Sequence, residues 1–229
     1  MLFRSAAVDA AVNALEMHFR SRMTTAEDGL LRTLAAADDA EDRLTDEEMF
    51  AVLRLLLNGG HRSTANAIGN CVCTLLAESD RVAAFQDCMD RTDALDRAVN
   101  ELLRYDTSVQ MAVRRARTDL ELRGRRIRSG DTVNLVLGSA NRDPDAFDDP
   151  DGVDFTRPPT GNAAFGFGVH ECLGAGLARI EVREAIATLF GGTKHTLDAA
   201  AVQYHQALKF RGPVSLSLVF ATVPLTFDL

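Results

Sequence analysis

The sequence lacks features that mark several large classes of protein. Its 229 residues include no tryptophan, two tyrosines and four cysteines. Cys71, Cys73, Cys88 and Cys172 are spaced neither as a disulfide framework nor as paired zinc ligands. No run of about 18 apolar residues is present, and the first residues do not resemble a basic leader. We therefore expect a protein of the reducing cytoplasm, with no segment in a membrane.

Lysine is also scarce, and acidic residues outnumber basic ones by 33 to 25. Lysine occurs only at Lys194 and Lys209, and the formal net charge is -8. This balance argues against a nucleic-acid surface and gives no reason to propose an anionic membrane partner. The hydrophobic content of 46% is enough for a real core, and no repeat or linker divides the chain. We predict one domain over residues 1–229, whose partners are small molecules or proteins.

Helical spacing of apolar residues dominates the sequence. It predicts helices over residues 8–23, 28–37, 81–89, 94–105 and 173–190. After an acidic turn at residues 38–42, Thr45 and Glu48 have the spacing of a capping box, so a long helix should begin there and run to about Glu78. That helix is apolar on nearly every side except at residues 58–64, which predicts burial with a polar, glycine-containing break.

Alternating segments at residues 120–122, 126–128 and 132–137 surround the turn at 129–131 and predict one small sheet in the middle of the chain. The tail, residues 207–229, reads as further strands around a Gly-Pro pair. The predicted fold class is therefore mainly α with small β elements.

One cysteine lies in an unusual setting. The run Phe165-Gly-Phe-Gly-Val-His-Glu-Cys-Leu-Gly174 places Cys172 after a glycine-bearing loop and before a predicted helix. Loop amides and a helix N-terminus stabilise a thiolate there, and Gly166, Gly168 and Gly174 would let backbone approach a flat macrocycle. For an isolated cysteine a buried apolar role is the commoner explanation. The surrounding residues reverse that preference.

This loop resembles the cysteine loop of the cytochrome P-450 family, and other motifs follow in the family's order. Glu101-Leu-Leu-Arg104 resembles its Glu-x-x-Arg helix, and Arg157 matches the arginine that completes the salt-bridged pair. The resemblance implies heme b with Cys172 as the iron ligand, Arg114 and His170 as propionate partners, and Phe165 within the heme-binding loop. Taken alone, Arg114 would be a surface charge and His170 a histidine with satisfied hydrogen bonds.

The long helix resembles the family's central distal helix. Gly59 and Gly60 match the glycine pair beside the oxygen site, and Ser63 falls at the alcohol position. Arg62 departs from the usual acid. A peroxide-using branch of the family has arginine there, where it can hold a substrate carboxylate, since guanidinium suits that bidentate contact. The alternative is that Arg62 faces solvent or pairs with a neighbouring acid.

The chain resembles only the heme-bearing C-terminal half of a family member. The resemblance implies an oxidoreductase, a monooxygenase or peroxygenase, that oxidises a small organic molecule, plausibly in secondary metabolism. A second copy or a partner protein would cover the face left by the missing half. The redox partner and substrate stay open. Two alternatives also stay open: a P-450-like helper that stabilises a partner enzyme, and an inactive remnant.

Overall fold

The computed structural model of the protein describes residues 6–25, 29–36, 44–191, 194–197 and 202–221. These residues form two compact units, which divide between Gly59 and Gly60. The predicted acidic turn at residues 38–42 and the end of the predicted tail, 222–229, lie outside the described residues. The expectation of a single domain stays a prediction.

Seven helices and eight strands are formed by the described residues, together with one short 3-10 helix at Gly168–His170. The helices are α1 (Ala6–Thr25), α2 (Gly29–Ala36), α3 (Asp46–Leu76), α4 (Ser79–Gln86), α5 (Thr92–Tyr105), α6 (Leu137–Ala140) and α7 (Ala175–Phe190). The strands are β1 (Met111–Arg115), β2 (Leu120–Leu122), β3 (Arg125–Ile127), β4 (Thr132–Val136), β5 (Lys194–Leu197), β6 (Gln203–Tyr204), β7 (Pro213–Ser215) and β8 (Leu218–Ala221). The mainly α class with small β elements is confirmed.

The first unit contains α1, α2 and the beginning of α3. Its small core consists of the buried residues Met49, Phe50 and Leu53. The predicted capping box is confirmed at the start of α3, where the Glu48 amide donates to Thr45 Oγ1 at 3.3 Å and the Thr45 amide donates to Glu48 Oε2 at 2.8 Å. Two otherwise unpaired amides of the first turn are thus satisfied, so α3 begins where the sequence predicts.

The second unit has a larger core because apolar residues recur on one face of each of the helices α3, α5 and α7, and α4 adds Phe85. Buried side chains come from α3, α4, α5 and α7: Ala67, Cys71, Leu75, Phe85, Ala98, Val99, Leu102, Val182, Ile186 and Phe190. Helices α5 and α7 pack directly on each other. This packing fixes the start of α7, and with it the residues that immediately precede α7.

The strands pair two by two. β1 pairs with β4, β2 with β3, β5 with β8 and β6 with β7, all antiparallel. The expectation of one sheet in the middle is therefore wrong, since β2 and β3 form a separate ribbon. The expectation fails because β1, Met111–Arg115, does not alternate apolar and polar residues, so the sequence pattern gives no sign of this partner for β4.

The expected burial of α3 is wrong in its middle. Leu55 is 70% exposed and Leu57 is 49% exposed, and residues 58–62 are exposed as well. Burial on all sides resumes only further along, from Asn66 to Leu75. An apolar run of this kind predicts a buried helix only if enough chain packs around it.

Candidate functional site

The loop before α7 has a fixed backbone shape. Gly166 and Gly168 have φ angles of 72° and 76°, a region that favours glycine. The Gly166 amide donates to the Ala163 carbonyl at 3.0 Å, and the Cys172 amide donates to the Phe165 carbonyl at 2.9 Å. These two bonds close the segment from Ala163 to Cys172, which we call the cysteine loop.

Cys172 lies where the cysteine loop meets α7. Its carbonyl accepts a hydrogen bond from the Ala175 amide at 3.2 Å, in the first turn of the helix, and Gly174 is the N-cap residue. Its thiol is exposed. The position combines solvent access with the N-terminus of a 16-residue helix, so a metal could reach the sulfur atom.

The other three cysteines have different surroundings. Cys71 is fully buried in the core, and burial raises the pKa of its thiol far above the usual range. Burial also raises the pKa values of Cys73 and Cys88, which are half-buried. A raised pKa leaves little thiolate near neutral pH, so Cys172 is the better candidate ligand.

Apolar side chains around Cys172 are unusually exposed. The exposed fractions are 63% for Phe167, 97% for Val169, 92% for Leu173 and 61% for Leu177. Heme b is a flat, largely apolar macrocycle whose iron a cysteine thiolate can hold. An exposed thiol among exposed apolar side chains therefore fits the group that the resemblance implies.

The two expected propionate partners lie on different elements. His170 is exposed within the cysteine loop, and Arg114 is half-buried on β1, where it pairs in register with Val133. The Arg114 guanidinium donates to the carbonyl of its neighbour Val113 at 3.0 Å. Among the described residues no hydrogen bond or ion pair joins Arg114 to His170, so their common role stays a prediction.

The expected distal residues lie on consecutive turns of α3. Among the described residues, a Cβ atom added to Gly59 or to Gly60 would meet no atom within 4 Å beyond its chain neighbours and the backbone of its own helix. Ser63 is half-buried and Arg62 is exposed. The Arg62 guanidinium lies 5.6 Å from the ring centroid of Phe210, and the Lys209 ammonium lies 5.5 Å from the same centroid. Nothing in the local sequence indicates Phe210 or Lys209, since both lie far along the chain from Arg62.

Glu101, Arg104 and Arg157 meet in the interior. Arg104 Nε donates to Glu101 Oε2 at 2.7 Å, and each of the two side chains is 1% exposed. Arg157 Nε lies 3.2 Å from the same oxygen. Arg104 also donates to the carbonyls of Asn141, Pro150 and Gly152, which ties α5 to the irregular segment after α6. The buried charges are thus paired and hydrogen-bonded, as burial requires.

No described helix combines the length and the apolar character needed to span a bilayer.

Comparison with known proteins agrees with the site. A family model described as Cytochrome P450 matches residues 3–192. "Cytochrome P450 107B1" of Saccharopolyspora erythraea is 40% identical over 181 residues, which cover 79% of this chain and 44% of that protein. "Cytochrome P450 monooxygenase PikC" of Streptomyces venezuelae is 41% identical over 164 residues, which cover 71% of this chain and 39% of that protein.

A solved structure of P450BioI in complex with an acyl carrier protein ligated to hexadec-9Z-enoic acid superposes with a TM-score of 0.83 at 33% identity. The match covers 95% of this chain and 57% of that one. The chain spans less than half the length of these two curated relatives. A family model matched over most of the chain, with the paired Glu101 and Arg104 and the cysteine loop in place, shows that the chain belongs to the cytochrome P450 family.

Proposed function

We propose that this chain binds heme b through Cys172 and supplies the heme-thiolate site of a cytoplasmic oxidoreductase. Membership of the family implies the heme cofactor. The observation that carries the proposal is the exposed Cys172 thiol at the junction of the cysteine loop and α7. When bound, a thiolate-ligated heme supplies the redox chemistry, because the thiolate pushes electron density onto the iron.

The residues of this chain would hold and orient the heme. Phe165, the loop glycines Gly166 and Gly168, and the N-cap residue Gly174 would form a surface against it, since glycines leave the backbone uncovered. His170 and Arg114 would bind the propionates, because both can donate to a carboxylate.

A visible spectrum tests the proposal directly. The purified protein should carry heme, and its dithionite-reduced carbon monoxide complex should show the red-shifted band of thiolate ligation. Cys172→Ala should lose that band, whereas Cys71→Ala, Cys73→Ala and Cys88→Ala should keep it. An unchanged spectrum in Cys172→Ala would show that Cys172 is not the ligand.

The substrate is proposed to be a small organic molecule of secondary metabolism, oxidised by a monooxygenase or peroxygenase reaction. Support comes from relatives such as the monooxygenase PikC and from P450BioI, whose solved complex contains a fatty acyl chain on a carrier protein. A redox partner would be required only if dioxygen is the oxidant.

Arg62 favours peroxide, or a non-oxygenative reaction, over dioxygen. A guanidinium stays protonated and cannot relay protons as a carboxylate does. It can instead anchor an anionic substrate, and its place over Phe210 beside Lys209 adds a second positive charge to that surface. Gly59, Gly60 and Ser63 would leave room for the reacting part of the substrate.

The test compares turnover with hydrogen peroxide and turnover with dioxygen plus a surrogate reductase. Arg62→Ala should lower peroxide-driven turnover by about ten- to a thousandfold, the range for loss of one positioned charged donor. Arg62→Glu should not improve peroxide use. His61→Ala, an exposed neighbour on the same helix, serves as the control. Efficient reductase-driven turnover that Arg62→Ala leaves unchanged would show that Arg62 only faces solvent.

Self-association or a partner protein is proposed to cover apolar surface that the unmatched part of the relatives would otherwise cover. Leu55 and Leu57, which are 70% and 49% exposed on α3, are apolar side chains of the kind that a protein contact covers. Their exposure keeps the helper alternative open, and the heme spectrum distinguishes that alternative from an enzyme.

A further inference from the structure

Asn141 occupies a central position in the polar interior of the second unit. It follows α6 directly and is 0% exposed. Its main-chain carbonyl accepts a hydrogen bond from Arg104 Nη1 at 2.7 Å. Its side-chain oxygen, Oδ1, accepts a hydrogen bond from the Ala163 amide at 2.5 Å. One residue therefore contacts both the buried Glu101–Arg104 pair and the first residue of the cysteine loop.

The hydrogen bonds continue from Ala163 to the cysteine. The Ala163 carbonyl accepts from the Gly166 amide, and the Phe165 carbonyl accepts from the Cys172 amide. Ala163 is 5% exposed, so its amide has little access to water as a substitute partner. A short series of bonds thus runs from the Arg104 guanidinium through Asn141 to the backbone of Cys172.

Only the oxygen of the Asn141 side-chain amide has a hydrogen-bond partner among the described residues. Its nitrogen, Nδ2, is buried and has no hydrogen-bond partner among the described residues. An unpaired buried donor destabilises the fold. The acceptor oxygen must offset that cost, and the only hydrogen bond it accepts among the described residues comes from the cysteine loop.

We infer that Asn141 is a positioning residue that couples the Glu101–Arg104 pair to the cysteine loop. It acts through Ala163 and does not touch the heme site itself. Arg104 is an effective anchor because its guanidinium also binds the carbonyls of Pro150 and Gly152. Without the Asn141 oxygen, the loop would keep its glycine turns but lose its connection to α5. The inference rests on the proposed use of Cys172, but loop order can be measured without heme.

The primary test is amide hydrogen exchange in the heme-free protein. Asn141→Ala should lower protection at Ala163, Gly166 and Cys172 by about tenfold or more, the size expected when a local hydrogen bond is lost. Amides of the α5 core, such as Leu102, should keep their protection. Asn141→Asp should restore it in part, because it retains the acceptor oxygen, while the carboxyl group that it places at a fully buried position offsets some of the gain.

Asn162 offers a matched control. Its Oδ1 accepts from the Ala164 amide at 3.1 Å, a local bond between neighbours that makes no connection to Arg104. Asn162→Ala should leave protection at Gly166 and Cys172 unchanged. If Asn141→Ala does not fold, Asn141→Ser replaces it, since the shorter hydroxyl cannot reach the Ala163 amide.

A second measurement uses the heme-loaded protein. Asn141→Ala should lose heme faster and convert part of its carbon monoxide complex to a band without thiolate ligation, while Asn141→Asp converts less of it and Asn162→Ala keeps the wild-type band. Unchanged protection in Asn141→Ala, equal loss throughout the core, or failure of the Asp variant to restore any protection in the loop would each overturn the inference. If the protein never binds heme but Asn141→Ala still lowers amide protection in the cysteine loop, the role of Asn141 is supported. In that case only the proposed function is contradicted.

Discussion

Two neighbouring regions of the second unit differ sharply in how they meet water. Glu101 and Arg104 are charged side chains with only 1% exposure, and hydrogen bonds satisfy both of them. Val169 and Leu173 are apolar side chains with more than 90% exposure. The usual preference for buried apolar and exposed charged residues is reversed in both places.

The two regions differ in what satisfies them: the buried charges are paired within this chain, whereas the exposed apolar side chains are left for a ligand or partner to cover. The buried charges find their counter-charges and carbonyl acceptors within residues 101–157. The exposed apolar side chains have no such cover among the described residues. The buried charged groups are therefore satisfied within this chain, whereas the cysteine loop exposes apolar side chains that a ligand or partner would cover. Four predictions test this contrast, beginning with the largest effect.

Loss of the buried pair should have the largest effect on stability. Arg104→Ala leaves the Glu101 carboxylate buried beside Arg157 alone, and removing one partner of a buried pair costs about 3–5 kcal/mol. Urea unfolding should show a free energy of unfolding lowered by that amount. Arg97→Ala, which breaks an exposed pair with Asp93, should change stability little. Similar decreases in the free energy of unfolding in both variants would mean that burial of the Glu101–Arg104 pair adds nothing to its contribution.

Thiol labelling should separate Cys172 from Cys71. In the folded protein Cys172 should react with iodoacetamide at least about a hundredfold faster than Cys71, because Cys71 is buried and burial raises the pKa of its thiol. Mass spectrometry of peptides after timed labelling measures both rates, and labelling in urea supplies the unfolded control. Comparable rates in the folded protein would contradict the exposure of Cys172.

Self-association should depend on the exposed apolar side chains of α3, such as Leu55 at 70% exposure. Leu55→Ser should weaken a dimer by about tenfold in Kd, the equivalent of roughly 1.4 kcal/mol. Sedimentation velocity at micromolar concentration measures the change. Val214→Ser, at a 56% exposed residue on β7, is the control and should leave association unaltered. A wild-type protein that is monomeric with tightly held heme would refute the dimer proposal.

The smallest effect concerns a second ion pair, between Asp106 and Arg211. Burial raises the pKa of Asp106 above its usual range, although Arg211 Nε lies 2.7 Å from its carboxylate and opposes that shift. The folded protein then holds the proton more tightly than the unfolded chain, so stability falls as pH rises from the unfolded pKa through the folded one. Urea unfolding across this acidic range should show that the free energy of unfolding of wild type, taken relative to that of Asp106→Asn, decreases as pH rises. An equal slope in both proteins would show that Asp106 contributes nothing to the pH dependence.

The local features of this fold were predictable from sequence. Thr45 and Glu48 form the capping box that their spacing indicates, and α5 and α7 follow the helical spacing of their apolar residues. The glycines of the cysteine loop adopt the left-handed backbone that favours this residue type. Such features depend on residues a few positions apart, so a pattern in the sequence describes them fully.

Contacts between distant segments were not predictable in this way. β1 was missed as the partner of β4, and β2 with β3 proved to be a separate ribbon. Arg62 was singled out by its position on α3, but its neighbour Phe210 comes from the other end of the chain. The contacts of Asn141 were not predicted from residue spacing, since the two groups that it contacts lie far from it in the chain, on α5 and in the cysteine loop.

The sequence by itself determined the family, the helices and the cysteine whose setting suits a metal ligand, because motif spacing and helical periodicity are local properties. Only the tertiary structure decided which charges are buried, which apolar side chains are left exposed and which residue connects Arg104 to the cysteine loop. Burial and hydrogen-bond partnership depend on the packing of segments far apart in the chain, and that packing is a property of the folded molecule.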